Sequence, residues 1–254
     1  MKLIQIYLTQ IKKMVIQYFI FKYKIVLFSI FYSTICFCQN NEKAIYASFD
    51  KLLGKNNLEY FNGAIHINND RTVTGKHRYF ENQNFELGEI EFNNQLYSNL
   101  YLKYDIYNEN VVLNLEENYN NSGLNIIAEN LSYFVINNKR FVNSNKLESF
   151  PENLSKGFYQ EVKISENITL YIKYLKKKSE VIKDTSILLD YNLQNDFILR
   201  KNGTYYNHNS KKEISKIFVN SKNKIDKYYK EKSAIEKENK VLFMIELIKI
   251  LSFE

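Results

Sequence analysis

Between residues 88 and 206 the chain repeatedly alternates apolar and polar side chains with a period of two, and asparagine-rich pairs separate the alternating runs. A period of two puts every second side chain on one face of an extended strand, so each run buries one face only by pairing with its neighbours. Gly88 to Phe92 and Gln95 to Tyr104 flank Asn93-Asn94, and Tyr133 to Ile136 and Arg140 to Val142 flank Asn137-Asn138. Phe197 to Arg200 and Thr204 to Tyr206 flank Lys201-Asn202-Gly203, whose Asn-Gly is the strongest hairpin signal of the chain. Val111 to Leu115 forms another short run, and Phe158 to Ile164 and Ile168 to Leu175 flank Ser165-Glu166-Asn167. With seven glycines and one proline, the chain must turn mainly on asparagine, which tolerates left-handed backbone. The spacing predicts a meander of antiparallel strands, with Leu96, Leu100, Leu102 and Tyr104 as candidates for a buried face. Asn143 to Gly157 holds the sole proline, Pro151, and little periodicity, which predicts a long loop.

At Ser210 the period becomes helical. Ile214, Ile217, Phe218, Ile225, Tyr228 and Tyr229 form one stripe, and Ser210 with Glu213 three residues later reads as a capping box. Val241 to Leu251 carries nine apolar residues in eleven, too short a run for a bilayer span of about 20 residues. Both segments predict helices packed on the sheet. A shorter helical pattern runs from Asn41 to Gly54. The fold expected is one mainly β domain with a helical C-terminus, an antiparallel sandwich or strongly curved sheet packed by two helices.

The N-terminus has a different character. Residues 1–38 contain five lysines and no acid, and Lys24 is followed by the uncharged run Ile25 to Cys38. A basic start, an apolar stretch and a small-residue exit at Cys36-Phe37-Cys38 are the parts of a cleavable export signal, with the cut before Gln39 and the start at Met1 or Met14. A membrane anchor and lipid attachment at a cysteine are the competing readings. The division expected is a signal over 1–38 and a single domain over 39–254.

Removal of residues 1–38 takes away both cysteines and five of the 35 basic residues, leaving 30 against 28 acids, so the +7 of the whole chain falls to +2. The mature chain then has no disulfide framework and no thiolate chemistry. Ten lysines against five acids between Lys211 and Lys240 read as a solvated helical face, so no nucleic-acid partner is expected. No phosphate loop, nucleophile elbow or zinc-protease motif occurs, and His66, His77 and His208 lie far apart. No catalytic residue, metal or cofactor is therefore expected. His77-Arg78-Tyr79-Phe80 and Tyr104-Asp105 stand out as polar and aromatic mixtures. One reading has His77 and Asp105 satisfy backbone groups at strand ends. The other makes His77, Tyr79, Tyr104 and Asp105 the ligand-binding residues of a pocket to which Tyr60 and Tyr101 also contribute.

The run Leu87 to Ile106, reading LGEIEFNNQLYSNLYLKYDI, resembles a family of uncharacterised exported proteins from Bacteroidota. In that family a strand close to G-S-V-x-Y-N-G-x-x-Y leads into N-V-x-L-K-Y-D. Tyr60-Phe61-Asn62-Gly63, His77-Arg78-Tyr79-Phe80, Gly157-Phe158-Tyr159-Gln160-Glu161-Val162 and the lysine-rich helix after Ser210 are similar to further parts of its pattern. Here Asn94 stands for the family's turn glycine and Leu100 for its valine. The resemblance implies export and a β fold but no activity. The expectation is a non-catalytic envelope or secreted protein that binds a ligand or an envelope partner. Its alternatives are a lipid or lipoprotein carrier with an apolar cavity under the helices, and a hydrolytic enzyme.

Overall fold

The computed structural model describes residues 14, 16–18, 20–24, 48, 52–54, 57–115, 123–183 and 185–253. The chain divides into two compact units, 1–52 and 53–254. In the first, residues 14, 16–18 and 20–24 are helical and exposed; the run Ile25 to Cys38 lies outside the described residues. Among the described residues no helix is long and apolar enough to cross a membrane. The unit carrying the sheet starts at Leu53. Of Asn41 to Gly54, residues 48, 52 and 53 are helical.

The second unit is a single open antiparallel sheet of eleven strands in the order β1-β5-β4-β3-β2-β6-β7-β8-β9-β10-β11. These are β1 Ala64–His66, β2 Glu86–Phe92, β3 Gln95–Asp105, β4 Asn110–Asn114, β5 Gly123–Asn125, β6 Leu131–Ile136, β7 Lys139–Asn143, β8 Phe158–Ser165, β9 Ile168–Lys183, β10 Ser186–Lys201 and β11 Thr204–Asn207. The expected turns occur: Asn93 and Asn94 have φ of 50° and 63°, Asn137 and Asn138 of 51° and 57°, and Asn202-Gly203 of 50° and 81°. Two positive φ values in succession give the type I′ turn whose twist matches that of the flanking strands. Gly88 sits at a β-bulge between β2 and β3, where any Cβ would strike the Val135 carbonyl of β6.

Of the two architectures expected, the sheet is the strongly curved one. Laid flat, β4 and β9 are six strand spacings apart, roughly 29 Å at about 4.8 Å each. Yet Lys173 Nζ on β9 lies 2.8 Å from Glu109 Oε1 in the turn between β3 and β4. The segment 70–80 bridges the same gap. Val73 N–H donates to the Leu189 carbonyl of β10 at 2.9 Å, and Phe80 N–H donates to the Tyr104 carbonyl of β3 at 2.8 Å.

The C-terminus supplies four short helices, α1 Lys211–Ile217, α2 Lys222–Glu231, α3 Ser233–Glu238 and α4 Lys240–Leu251. Both bonds of the Ser210–Glu213 capping box are formed. The first of the two expected helices is divided: at Phe218 the backbone leaves the helical region (φ −115°, ψ 68°) and a 3-10 turn over Val219–Ser221 intervenes, so the stripe is carried by α1 and α2 in sequence. Phe243, Met244, Leu247, Ile248 and Leu251 of α4 are all within 1% of full burial and pack with Ile90, Leu102, Phe134, Leu170, Ile172 and Phe197 on the concave face. The other face holds a smaller cluster of Tyr133, Val142, Tyr159, Tyr171 and Ile198, which Phe150 from the loop 144–157 covers.

β9 and β10 run well past the sheet. Beyond Ile172 and Phe197 neither has a full strand on its outer side, which leaves a two-stranded arm. The sequence pattern ends β9 at Leu175, where Lys176-Lys177-Lys178 interrupts the alternation, and assigns no strand to 186–196, where Leu193 is the one apolar residue between Asn192 and Asp196. β1 and β5, three residues each, were too short to show a period.

Candidate functional site

The four residues singled out by sequence do not share one pocket. Tyr79 bridges Asp105 in antiparallel register, extending the ladder beside β3. Successive strand residues face opposite ways, so Tyr104 points into the concave core while Asp105 does not. The Tyr104 ring packs edge-on against Phe134, Phe141 and Phe158 at centroid distances of 5.0, 5.4 and 6.1 Å. Its hydroxyl is buried without a hydrogen-bond partner, and burial holds its pKa well above the ordinary tyrosine value. Tyr60 packs on Tyr97 at 4.7 Å, and Tyr101 is 52% exposed. Pleat alternation thus sends Tyr104 and Asp105 to opposite faces of β3.

Asp105, Arg78 and Tyr79 form a structural buckle. The Asp105 Oδ1 accepts the Tyr107 and Asn108 N–H groups at 3.1 Å each, and its Oδ2 meets Arg78 Nε at 2.9 Å. Arg78 Nη1 also reaches Asp70 Oδ2 at 3.3 Å, and the Tyr191 hydroxyl of β10 donates to the same oxygen at 2.6 Å. Burial opposes the guanidinium charge, but Asp105 and Asp70 together hold its pKa above the ordinary value. The Tyr79 hydroxyl lies 2.9 Å from His66 Nε2 and accepts from Asn68 Nδ2 at 3.0 Å, while His66 Nδ1 lies 2.9 Å from Asn125 Oδ1. A neutral His66, donating at Nδ1 and accepting at Nε2, satisfies the whole chain, and burial accordingly lowers its pKa. His77 stacks on Tyr79 at 6.3 Å, and its pKa is lowered by burial and then by the charge of Lys176. The Tyr79 hydroxyl and the Asp105 Oδ1 are thus held by hydrogen bonds inside the protein, and the Asp105 Oδ2 is in ion-pair contact with Arg78.

Lys173 resembles a site and is also internal. It is 1% exposed on β9, and its ammonium binds Glu109 at 2.8 Å, the Ser155 hydroxyl at 2.9 Å and the Lys156 carbonyl. Gly157 (φ 122°) lets the loop pass close enough to reach it, since a Cβ there would collide with the Glu109 carboxylate.

The candidate site is a cleft of about 400 Å³ at the mouth of the curl, lined by Phe80, Glu81, Ile106, Lys139, Tyr174, Lys176, Leu193, Asn195, Glu238, Asn239, Lys240 and Val241. Its floor is set by register: Tyr174 pairs with Asn195 and Lys176 with Leu193, so all four side chains leave the same face of the arm. Its lip is the α3–α4 junction, where the Asn239 side chain caps α4 by accepting the Leu242 N–H at 3.0 Å. The volume falls in the range of small-molecule sites, about 300–1,000 Å³, and the mixture of apolar floor and few polar groups is also typical of them.

The polar groups differ in what they have free. Lys139 is paired with Glu81, which also accepts from Asn137 Nδ2 at 2.9 Å. Among the described residues Lys176 and Glu238 have no ion-pair or hydrogen-bond partner, Lys240 only lies over the Phe197 ring at 5.5 Å, and the buried Asn195 Oδ1 has no donor. Burial, then the charge of Lys76, lowers the Lys176 pKa. Among the described residues no cluster of three or more His, Cys, Asp or Glu has the geometry to hold a metal ion.

Its residues come from six separate stretches of chain, none carrying a motif, and of them the sequence singles out only Phe80, in the His77-Arg78-Tyr79-Phe80 run, and Val241, at the head of the last apolar run. A curled open antiparallel sheet closed by C-terminal helices, with a mixed cleft at its mouth, is the class the fold and site define. Comparison with family models, with curated proteins and with solved structures finds no match.

Proposed function

We propose that the chain is an exported, non-catalytic binding protein of the cell envelope or its exterior, similar to the Bacteroidota family that its 87–106 run resembles, and that its ligand occupies the cleft between the β9–β10 arm and the α3–α4 junction. The cleft carries this reading: it combines apolar floor residues with polar groups that have no partner among the described residues. The basic, acid-free start and the apolar run before Cys38 support export. Carriage of an acyl chain beneath the helices would require α4 to lift, because Phe243, Leu247 and Ile248 fill that space at 0% exposure. The test is native mass spectrometry of the protein recovered from the exporting cell. The expected result is a mass beginning at Gln39, with a bound small molecule that is absent when Leu193→Trp fills the cleft. An N-terminus retained at Met1 or Met14 refutes export, and a ligand that persists in the Leu193→Trp protein refutes the site.

A further inference from the structure

We infer that the cleft selects an amphipathic monocarboxylate carrying one N–H or O–H donor, such as an N-acyl amino acid; the inference rests on the binding reading above and names its ligand class. The charges decide the head group. Lys139 and Glu81 neutralise each other across the rim, so the groups free to meet a ligand are the ammonium ions of Lys176 and Lys240 and the carboxylate of Glu238. Two cations against one anion leave an excess of one positive charge, which a single carboxylate balances and a dianion or cation does not.

Desolvation sharpens the preference. Lys176 stands on the arm between Tyr174 and Leu193 with its charge disfavoured by burial and by Lys76. An incoming anion offsets that penalty, whereas a neutral ligand deepens it by excluding water. The remaining free group is an acceptor, the Oδ1 of Asn195, a residue that lines the cleft; the atom is buried and has no donor among the described residues. A buried unsatisfied acceptor makes a ligand N–H or O–H favourable at that point. Tyr174 cannot supply it, because its hydroxyl donates to Gln160 Oε1 at 2.6 Å. The floor of Phe80, Ile106 and Leu193 then takes an apolar body.

Isothermal titration calorimetry of the purified protein against decanoate, N-decanoylglycine, decanol and decyltrimethylammonium, each below its micellar concentration, separates these terms. N-decanoylglycine is expected to bind best and decanoate next, both at least tenfold tighter than decanol, with no heat from the cation. Lys176→Met and Lys240→Met should each weaken the carboxylates by roughly tenfold or more, the worth of a charge-assisted hydrogen bond, while leaving decanol unchanged. Glu238→Gln, which unfolding of a lysine variant cannot mimic, should tighten them. Equal affinity for decanol and decanoate would overturn the head-group assignment while leaving the cleft as a binding site. Absence of heat from all four probes, together with native mass spectra that Leu193→Trp does not change, would overturn both.

Discussion

His208 makes the stability of this fold depend on pH in a way that one substitution should remove. It follows β11, is 0% exposed, and packs edge-on to Phe197 at 5.9 Å. Neither ring nitrogen meets a hydrogen-bond partner among the described residues. Burial lowers its pKa to about 4, helped by Lys240; only the backbone of Tyr206 and Phe197 favours its charged form. Between pH 6.5 and 4 the unfolded chain therefore binds a proton at this position that the folded chain does not. Stability is fully present above the unfolded pKa and is lost as pH falls through that window. A shift from 6.5 to about 4, at about 1.4 kcal/mol per unit, sets the loss at about 3–4 kcal/mol. His66 and His77 are also lowered and act in the same direction, so the wild-type slope alone does not isolate His208. His208→Leu removes this titration and leaves theirs. Urea unfolding followed by far-UV circular dichroism at pH 7.5, 6.5, 5.5 and 4.5 should show the variant gaining on the wild type as pH falls, with the m-value unchanged. A stability difference that stays constant across the series would refute the reasoning.

Two further outcomes test the packing. Leu247→Ala in α4, fully buried in the concave core, should cost about 2–5 kcal/mol by cavity formation, read as a lower urea midpoint, and truncation after Asn209 should give an insoluble or molten product. Glu109→Gln leaves the buried ammonium of Lys173 with only the Ser155 and Lys156 oxygens; because Glu109 is about one-third exposed, a loss of roughly 1–3 kcal/mol is expected, and the double variant Glu109→Gln with Lys173→Met should recover part of it in a double-mutant cycle.

The parts of the fold that were legible in the sequence are those set by neighbours along the chain. The Asn-Asn and Asn-Gly turns, the strands that flank them and the Ser210 capping box all follow from contacts within a few residues. The interruption at Phe218 and the outer half of β9 were not legible, because they depend on what lies across the sheet: Lys176 and Lys178 stand where alternation calls for apolar residues, yet their register with Leu193 and Tyr191 holds them in the ladder. The placement of the candidate residues was hidden for a related reason. Tyr104 and Asp105 are adjacent in sequence, and the pleat separates them. The cleft residues are far apart in sequence, and the curl unites them.

The hydrogen bonds that join residues 71 and 73 to Leu189 tie the start of the sheet to a strand made more than a hundred residues later. Apart from β1–β5 and β2–β6, the strand pairings join consecutive strands and close locally and fast, whereas a contact of that separation is reached slowly. A chain leaving a ribosome or a translocation channel N-terminus first thus forms an open ribbon of strands early, with its concave aromatic face uncovered. The latch and the helices that cover that face both lie beyond residue 185. Folding to the final state therefore waits for the last quarter of the chain.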